Sequence, residues 1–339
     1  MTTRTSFSIA SESPYTVAAG RELADLGGNV VDIAVGSALA ATVSEALMCS
    51  LGGSAFIAIK MPGAAAELID GADAMPRVPQ SITTDSKRVW KQAAIPYGDG
   101  ITVNVGHGSI AVPGMLRALE LAWQRHGSLP WRELLGPALA LAKNGVAANQ
   151  TLVKWLAMAG RAVFFDQQES RSAFFPDGVN PLQEGQFYKA PHLDSSLELI
   201  ARDGADALYL GDLGRAFEQE ISAHDGFLTR DDLAAYRAQV RRPIVLHSHG
   251  FDLALNPPPS IGGAMAGSMV QMYAALAPEH MSEAEKIDSI ARVQRMMFSL
   301  REQEGSSDWN EQRAALILEQ PWLQRFYHKT FSPNTMHMS

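Results

Sequence analysis

The sequence predicts an α+β fold in which helices and short strands share a buried core. Apolar residues recur at helical spacing in residues 16–26 and 115–126. Polar and apolar residues alternate in residues 243–255, with the two-residue period of a strand. Hydrophobic residues make up 46% of the chain, which provides ample apolar surface for a core.

The N-terminal third begins with two helices and continues with a hairpin. The helix over residues 16–26 ends at Gly27-Gly28, a frequent C-terminal signal. Residues 30–47 are apolar on all sides, which predicts a buried helix. Gly52-Gly53 then forms a turn before strands at residues 55–59 and 66–70, which we expect to pair.

The rest of the chain is predicted to be mainly helical. We expect irregular structure in residues 77–104 and 166–190, a capping box from Thr229 to Asp232, and two strands around His249-Gly250. The predicted helices cover residues 115–126, 130–143, 150–165, two segments of 194–224, a segment after 263, 283–303 and 311–328. No internal repeat or low-complexity linker interrupts this order, so we predict a single domain over residues 1–339.

Composition and charge argue against several classes of partner. The formal net charge of the 339 residues is −8 and no long basic run occurs, so we expect no binding to nucleic acid. No stretch of about 18 apolar residues predicts a membrane span. The N-terminus lacks the apolar core of a signal peptide, which predicts a cytoplasmic location. The single cysteine, Cys49, lies in a run of small and apolar residues and is interpreted as a buried hydrophobe.

Motifs for metals and nucleotides are missing, so we expect no cofactor and no metal. The P-loop, the HExxH zinc motif and a strand-linked GxGxxG are absent. His247 and His249 would lie on one side of a strand, which is more typical of a polar strand edge than of a metal site. His107, between two glycines, is more typical of a mobile loop than of a ligand.

The end of the chain has a polar face at strand spacing. Thr335, His337 and Ser339 alternate with Met336 and Met338, so a strand would present two hydroxyls and an imidazole together. By pattern alone, a frayed tail is the more common explanation for such a terminus. The choice between a tail and a site therefore depends on other parts of the sequence.

Several segments together resemble the γ-glutamyltransferase family, in the family's order and at similar spacing. The resemblance covers nearly the whole chain, and each segment would be weak alone. The matching segments are residues 27–32, 51–53, 111–114, 127–131, 204–211, 228–237 and 257–263.

This resemblance implies the four-layer αββα sandwich of the N-terminal-nucleophile hydrolases, of which the chain is the large-subunit part. Residues 1–334 correspond to the large subunit, and residues 335–339 to the start of the first strand of the small subunit. In the family, the precursor cuts itself before a Thr in a T-x-H-x-S strand. The matching residue is Thr335, so the resemblance implies a nucleophile at Thr335 and a scissile bond between Asn334 and Thr335.

A terminal threonine has a physical reason to be reactive. The freed α-amine acts as the base that a Thr hydroxyl needs, and it titrates close to neutral pH. Thr335 would attack an amide carbonyl, form an acyl-enzyme and release the amine, after which water or an acceptor amine takes the acyl group. His337 and Ser339 are expected to position the strand rather than to react.

The residues that would bind the substrate depart from the family pattern. The resemblance implies γ-glutamyl compounds such as glutathione, whose α-carboxylate is held by an Arg in a D-x-R-E-x-A-P segment. In residues 70–76, Ala72 stands where that Arg would be, and Arg77 is the nearest basic residue. Because Ala cannot clamp a carboxylate, an amidohydrolase or acylase with another substrate, such as oxamate, is a serious alternative.

The chain ends at Ser339, before the small-subunit glycines that form the family's oxyanion hole. We therefore expect little activity from these residues without the missing small subunit, because oxyanion stabilisation is a large catalytic contribution. An inactive remnant that acts as a scaffold or binding partner is the alternative from another class. A metal-dependent amidohydrolase would have only His247 and His249 in its favour.

Overall fold

The computed structural model describes residues 7–77, 90–304 and 311–318. Contacts divide the chain into two units. Unit 1 comprises Met1–Ile57 and Ile69–Gln239, and unit 2 comprises Ala58–Leu68 and Val240–Ser339. The single domain predicted from the sequence stays a prediction.

Unit 1 contains the larger set of helices, and most of them lie close to their predicted positions. A five-residue π-helical turn, Leu156–Gly160, separates α5 from α6. The helices are α1 (Pro14–Asp25), α2 (Val30–Ser44), α3 (Met115–His126), α4 (Trp131–Asn144), α5 (Gln150–Trp155), α6 (Arg161–Phe164), α7 (Gln168–Phe174), α8 (Leu193–Asp203), α9 (Asp206–Tyr209), α10 (Asp212–Ala223) and α11 (Arg230–Ala235).

The strands are short, and the pairings with a defined register are antiparallel. The strands are β1 (Ala55–Ile59), β2 (Glu67–Gly71), β3 (Lys91–Ile95), β4 (Ile101–Val105), β5 (Val146–Ala147), β6 (Phe187–Tyr188), β7 (Gln239–Arg241), β8 (Ile244–Ser248) and β9 (Phe251–Leu255). One sheet has the order β1-β2-β7, so the predicted pairing of β1 with β2 is confirmed. Antiparallel hairpins join β3 to β4, β5 to β6 and β8 to β9.

The described part of unit 2 has three α-helices beside the β8–β9 hairpin: α12 (Ile261–Ala275), α13 (Glu283–Glu304) and α14 (Glu311–Leu318). Their apolar faces share a methionine-rich core that includes Met265, Met272, Met296 and Met297. The unbranched thioether side chains fill irregular space between such helices. Within the described residues, no helix combines the length and apolar composition that crossing a membrane requires.

The predicted irregular structure is wrong at two places. Residues 77–104 contain the β3–β4 hairpin, in which Lys91 pairs with Val105 and Ile95 pairs with Ile101. Lys, Gln and Ala have low strand propensity, so the tertiary pairing, and not the local sequence, makes this segment a strand. Residues 166–190 contain α7, whose Phe174 is buried among other aromatic rings.

The core of unit 1 is organised around α2. This helix contacts α1, α3 and α4, and its Leu39 and Ala40 are fully buried. Because α2 is apolar on nearly all sides, it can be covered by several helices at once. The prediction of a buried helix at this position is confirmed.

Asp32, near the start of α2, is a fully buried carboxylate with an unusually complete set of donors. It closes a capping box by accepting the backbone N–H of Asn29 at 2.9 Å. It also accepts the backbone N–H groups of Ser128 at 2.9 Å and Leu129 at 3.2 Å. Asn29 donates its side-chain amide to the carbonyl of His126 at 2.7 Å. The α1–α2 turn is therefore joined to the α3–α4 turn through one carboxyl side chain.

We predict that Asp32→Ala lowers the free energy of unfolding by about 3–5 kcal/mol, because several buried donors lose their acceptor together. Asp25→Ala is the matched control, since Asp25 is exposed at the end of α1. The control is expected to change stability by less than about 0.5 kcal/mol. Urea denaturation followed by circular dichroism measures both, and equal midpoints would contradict the role of Asp32.

Candidate functional site

The four C-terminal site residues predicted from the sequence, Asn334, Thr335, His337 and Ser339, lie outside the described residues. Arg77 and the segment that contains Ala72 are described. The geometry of the candidate site is therefore built from residues 70–77 and the elements around them, all within unit 1.

The glycine turn after α2 is fixed to the start of α3. The carbonyl oxygen of Gly53 accepts the backbone N–H groups of Gly114 at 3.0 Å and Met115 at 2.9 Å. These two donors belong to the first residues of the helix, whose N–H groups have no partner within it. The turn thus acts as the cap of α3, a role that its sequence did not reveal.

The end of β2 and the start of α3 approach backbone to backbone. A Cβ atom at Gly114 would lie 2.1 Å from the Gly71 carbonyl oxygen and 2.3 Å from the Tyr236 hydroxyl. A Cβ atom at Gly71 would lie 2.4 Å from that of Ala118. Neither space accepts a methyl group, so both glycines are required for this approach.

Two stacked tyrosines donate hydrogen bonds to the residues next to Gly71 and Gly114. Tyr236 donates its hydroxyl to the Ala72 carbonyl at 2.5 Å, and Tyr209 donates to the Pro113 carbonyl at 2.7 Å. Their rings stack with centroids 5.8 Å apart. Burial, with the nearby charges of Asp70 and Asp73, raises the pKa of Tyr236 to about 12. Its hydroxyl therefore remains a donor at any working pH.

The segment after β2 is held mainly through its backbone. Ala72 donates its N–H to the Asp70 carboxylate at 2.9 Å, and Asp73 accepts the Ser54 hydroxyl at 2.6 Å. Ala74 and Val112 exchange two backbone hydrogen bonds of 3.1 and 2.8 Å in an isolated antiparallel bridge. This segment is consequently rigid while the side chain at position 72 takes no part in its fixation.

Arg77 is exposed and lies beside Asp232. Its backbone N–H donates to the Asp232 carboxylate at 3.1 Å. Burial raises the pKa of Asp232, but hydrogen bonds from Thr229 and Arg77 and the Arg77 charge outweigh it and leave the pKa lowered. The predicted capping box between Thr229 and Asp232 is present at the start of α11. Asp232 therefore interacts both with this helix start and with Arg77, the residue that the sequence suggested as a substitute clamp.

A cavity of about 460 Å³ opens beside this segment. Of the described residues that line it, none carries a charge. Trp90 and Phe227 form an edge-to-face pair with ring centroids 6.0 Å apart. The lining residues are Met75, Pro76, Trp90, Asn104, Gly108, Ser109, Ile110, Ala111 and Phe227. The walls are thus mostly apolar, with two neutral polar side chains, and Arg77 is not among them.

Sequence patterns did not reveal this cavity, because its walls come from segments that are distant in sequence and locally irregular. They include the β3–β4 region and Phe227, which precedes the cap of α11. The two histidines of the β8–β9 hairpin form local contacts instead. His247 lies on β8, with its Nδ1 atom 3.0 Å from an Asp252 carboxylate oxygen. His249 lies in the turn after β8, 2.9 Å from the Ser248 hydroxyl, so the expectation that both lie on one side of a strand is wrong.

The family of the chain follows from a match to a sequence model of a known protein family. The sequence model of gamma-glutamyltranspeptidase matches residues 16–331. The chain belongs to the gamma-glutamyltranspeptidase family. The resemblance inferred from the ordered motifs is therefore confirmed, while Thr335 lies beyond the end of the matched residues.

Two curated members of the gamma-glutamyltranspeptidase family illustrate the range of its relatives. The chain is 31% identical over 269 residues to an acylase ACY 1 proenzyme of Pseudomonas sp. (strain V22), covering 78% of the chain and 47% of the relative. It is 31% identical over 257 residues to a glutathione hydrolase proenzyme of Escherichia coli (strain K12), covering 75% and 43%. The chain thus spans less than half the length of these relatives.

The fold is also that of a solved gamma-glutamyltranspeptidase structure. The enzyme from Pseudomonas nitroreducens, complexed with L-DON, superimposes with a TM-score of 0.78 over 96% of this chain and 94% of its own, at 23% identity. The predicted α+β fold class is confirmed by this match and by the antiparallel pairing of the strands.

Cys49 follows α2 in this member of the gamma-glutamyltranspeptidase family, and it is the only cysteine of the chain. Its Sγ lies 3.8 Å from the Sδ of Met115. Burial, together with the Glu45 charge, raises the pKa of the Cys49 thiol to about 11. The thiol is therefore protonated at neutral pH, which argues against a nucleophile. Cys49 is half-buried, so it is less enclosed than the small buried hydrophobe that the sequence predicted.

We predict that iodoacetamide alkylates Cys49 in the folded protein at pH 8 roughly 100-fold more slowly than a free cysteine, because the thiolate is the reactive form. A raised pKa means that the rate keeps increasing with pH, about tenfold per unit, up to the pKa. Mass spectrometry follows the modification, and the same chain unfolded in guanidinium is the control. A native rate equal to the unfolded rate would contradict the prediction.

Proposed function

We propose that the chain is the large-subunit part of an amide hydrolase or acyltransferase that uses Thr335 as an N-terminal nucleophile. The family match over residues 16–331 carries this proposal. The T-x-H-x-S pattern of Thr335, His337 and Ser339 follows four residues after that match and agrees with the family's cleavage strand. Glutathione hydrolase and acylase relatives are both named as proenzymes, which supports activation by cleavage.

The chemistry follows from the position of the nucleophile after cleavage. In the precursor, the Thr335 hydroxyl attacks the carbonyl of Asn334, and the amide C–N bond breaks as the ester forms, which frees the amine of Thr335. Water then hydrolyses the ester, which releases the carboxylate of Asn334 and restores the Thr335 hydroxyl. That amine then accepts the hydroxyl proton as Thr335 attacks the substrate carbonyl. The amine of the substrate leaves, and water or an acceptor amine takes the acyl group from the ester.

Other groups have supporting roles in this proposal. At the two-residue spacing of a strand, His337 and Ser339 would share a face with Thr335, and we assign them the role of positioning it. A small subunit, which continues from Thr335 in the family, supplies donors to the developing oxyanion. Such donors usually provide a large part of the rate acceleration in acyl transfer.

We further propose that the acyl group of the preferred substrate has no α-carboxylate. Ala72 occupies the position of the family's clamping Arg, and the neighbouring cavity is uncharged along its described lining. Arg77 lies outside that lining and faces Asp232, so it is poorly placed as a substitute. An acylase activity on an uncharged acyl amide is thus favoured over γ-glutamyl transfer, while oxamate stays open as a small amide substrate.

Two other expectations stay predictions. The cytoplasmic location rests on the N-terminal sequence alone, and Arg77 as a carboxylate ligand has no contact in its favour. The alternative is an inactive remnant that acts as a scaffold. Absence of both cleavage and turnover in the following experiment would support it.

We predict that the protein expressed from its full reading frame is cut between Asn334 and Thr335, and that Thr335→Ala remains whole. The variant lacks the attacking hydroxyl, so amide hydrolysis is expected to fall by at least about 10³-fold. Intact mass spectrometry locates the cut, and turnover of acyl p-nitroanilides measures activity.

Ser332→Ala removes a neighbouring hydroxyl and is the matched control, while Thr335→Ser keeps the hydroxyl and is expected to retain cleavage. An uncut wild-type protein, or cleavage of Thr335→Ala at the same bond, would refute the assignment of the nucleophile. Equal thermal unfolding of the variants excludes a trivial loss of fold.

We predict that Ala72→Arg increases kcat/KM for γ-glutamyl p-nitroanilide by about tenfold or more, because a charge-assisted hydrogen bond contributes about 1.5–3 kcal/mol. The wild type is expected to prefer butyryl p-nitroanilide, which is the same acyl group without the α-amine and α-carboxylate. Steady-state kinetics on the two substrates measures the preference.

Ala72→Met is the control, since it adds similar length without charge. It is expected to leave the γ-glutamyl rate at the wild-type value. A wild-type preference for the γ-glutamyl substrate, or equal effects of Arg and Met, would count against a missing clamp without affecting the assignment of Thr335.

A further inference from the structure

Two imidazoles and a carboxylate converge outside the cavity, at the C-terminal end of α10. The Nε2 atom of His107 lies 3.5 Å from Oε1 of Glu220, and the Nδ1 atom of His224 lies 3.4 Å from the same oxygen. The two imidazole rings stack with centroids 4.2 Å apart and planes inclined by 9°. One ligand atom of each residue lies within 4.8 Å of the other two.

These distances fit a metal ion better than direct hydrogen bonds. An N–H···O bond has a heavy-atom distance of about 2.7–3.2 Å, and both distances to Glu220 exceed that range. Ligands at about 2.0–2.2 Å from a tetrahedral Zn²⁺ lie roughly 3.3–3.6 Å from each other. The two His–Glu distances have this spacing already, and all three ligand atoms lie within 4.8 Å of one another.

The backbone around the three residues is fixed before any ion binds. The loop at His107 is closed by Ser109, whose N–H and hydroxyl donate to the Gly106 carbonyl at 3.0 and 2.8 Å. A Cβ atom at Gly226 would lie 2.8 Å from the His107 carbonyl oxygen, so the segment after α10 packs directly on this loop. A site assembled from rigid backbone loses little conformational entropy on binding.

Electrostatics at this end of the helix favour a cation. Glu220 and His224 are four residues apart, so their side chains lie on one face of α10 and its cap. The C-terminal end of a helix carries partial negative charge from its unpaired carbonyl groups. The Nδ1 atom of His224 lies 2.9 Å from the backbone carbonyl oxygen of Glu220, and a metal bound at that nitrogen replaces its proton.

We propose that His107, Glu220 and His224 form a binding site for a divalent transition metal, with Zn²⁺ as the best match. Two imidazoles and one carboxylate are borderline and hard donors, the combination that zinc accepts readily. The three residues leave the fourth tetrahedral position to water. With neutral imidazoles the ligand set carries one negative charge, so the bound ion is partly neutralised.

A metal ion at this site would connect one wall of the cavity to α10. His107 is followed directly by Gly108 and Ser109, which line the cavity, whereas Glu220 and His224 belong to α10 and its end. A metal ion that holds His107 against Glu220 and His224 therefore ties the cavity wall to a helix outside it. This role is independent of Thr335 and of any amide substrate.

The test is calorimetric titration of Zn²⁺ into the tag-free, chelator-treated full chain at pH 7.5. The wild type is expected to bind one Zn²⁺ at a saturable site and to show a higher Tm in its presence. Glu220→Gln, His107→Ala and His224→Ala are each expected to weaken that affinity by at least about 10-fold, since loss of even an outer-shell partner costs 10–100-fold.

The matched control is the double variant His247→Ala/His249→Ala, which removes an exposed histidine pair of the β8–β9 hairpin. It is expected to bind Zn²⁺ as the wild type does. Because Glu220 is exposed, Glu220→Gln is expected to keep the metal-free Tm of the wild type. Absence of saturable binding, or loss of it in the control but not in Glu220→Gln, would overturn the proposal.

A second measurement needs no variant and locates the ion directly. Diethyl pyrocarbonate modifies accessible histidines, and peptide mapping by mass spectrometry reports each one. Zn²⁺ is expected to protect His107 and His224 several-fold and to leave His280 unchanged, which is exposed on unit 2. Protection of His280 alone, or equal modification of His107 and His224 with and without Zn²⁺, would refute the site.

Discussion

The buried carboxylate of Asp32 is the interaction on which the rest of unit 1 depends. A fully buried polar side chain is tolerated only when its oxygens accept hydrogen bonds, and here backbone donors from two distant turns provide them. The same turns determine how α2 is surrounded by α1, α3 and α4. Residues 27–32 and 127–131 are two of the segments by which the family resemblance was recognised, and Asp32 gives a physical reason why they occur together.

Main-chain contacts connect this helical core to the segment beside the cavity. Gly53 caps α3, and the start of α3 touches the end of β2 at Gly71 and Gly114. Tyr236 then fixes the carbonyl of Ala72. The segment beside the cavity is thus built on the helices of the core, so the shape of the cavity is a consequence of how those helices pack.

The sequence predicted those parts of the fold whose signals are local. Helix starts with a side-chain cap, such as Thr229 with Asp232, and the turn at His249-Gly250 were identified because a few adjacent residues determine them. The β3–β4 hairpin and the cavity were missed, since each depends on contacts between residues far apart in sequence. Thr335 could be proposed only through the family pattern, because a hydroxyl on an alternating strand has no distinctive local signal.

The backbone anchoring of Ala72 has an evolutionary consequence. Both main-chain polar groups of this residue have partners, Asp70 for the N–H and Tyr236 for the carbonyl, and neither bond involves its side chain. A substitution at position 72 can therefore change what the neighbouring surface recognises at little cost to folding. Position 72 can therefore differ between relatives that share this backbone, because a side chain of another size or charge leaves both main-chain hydrogen bonds in place.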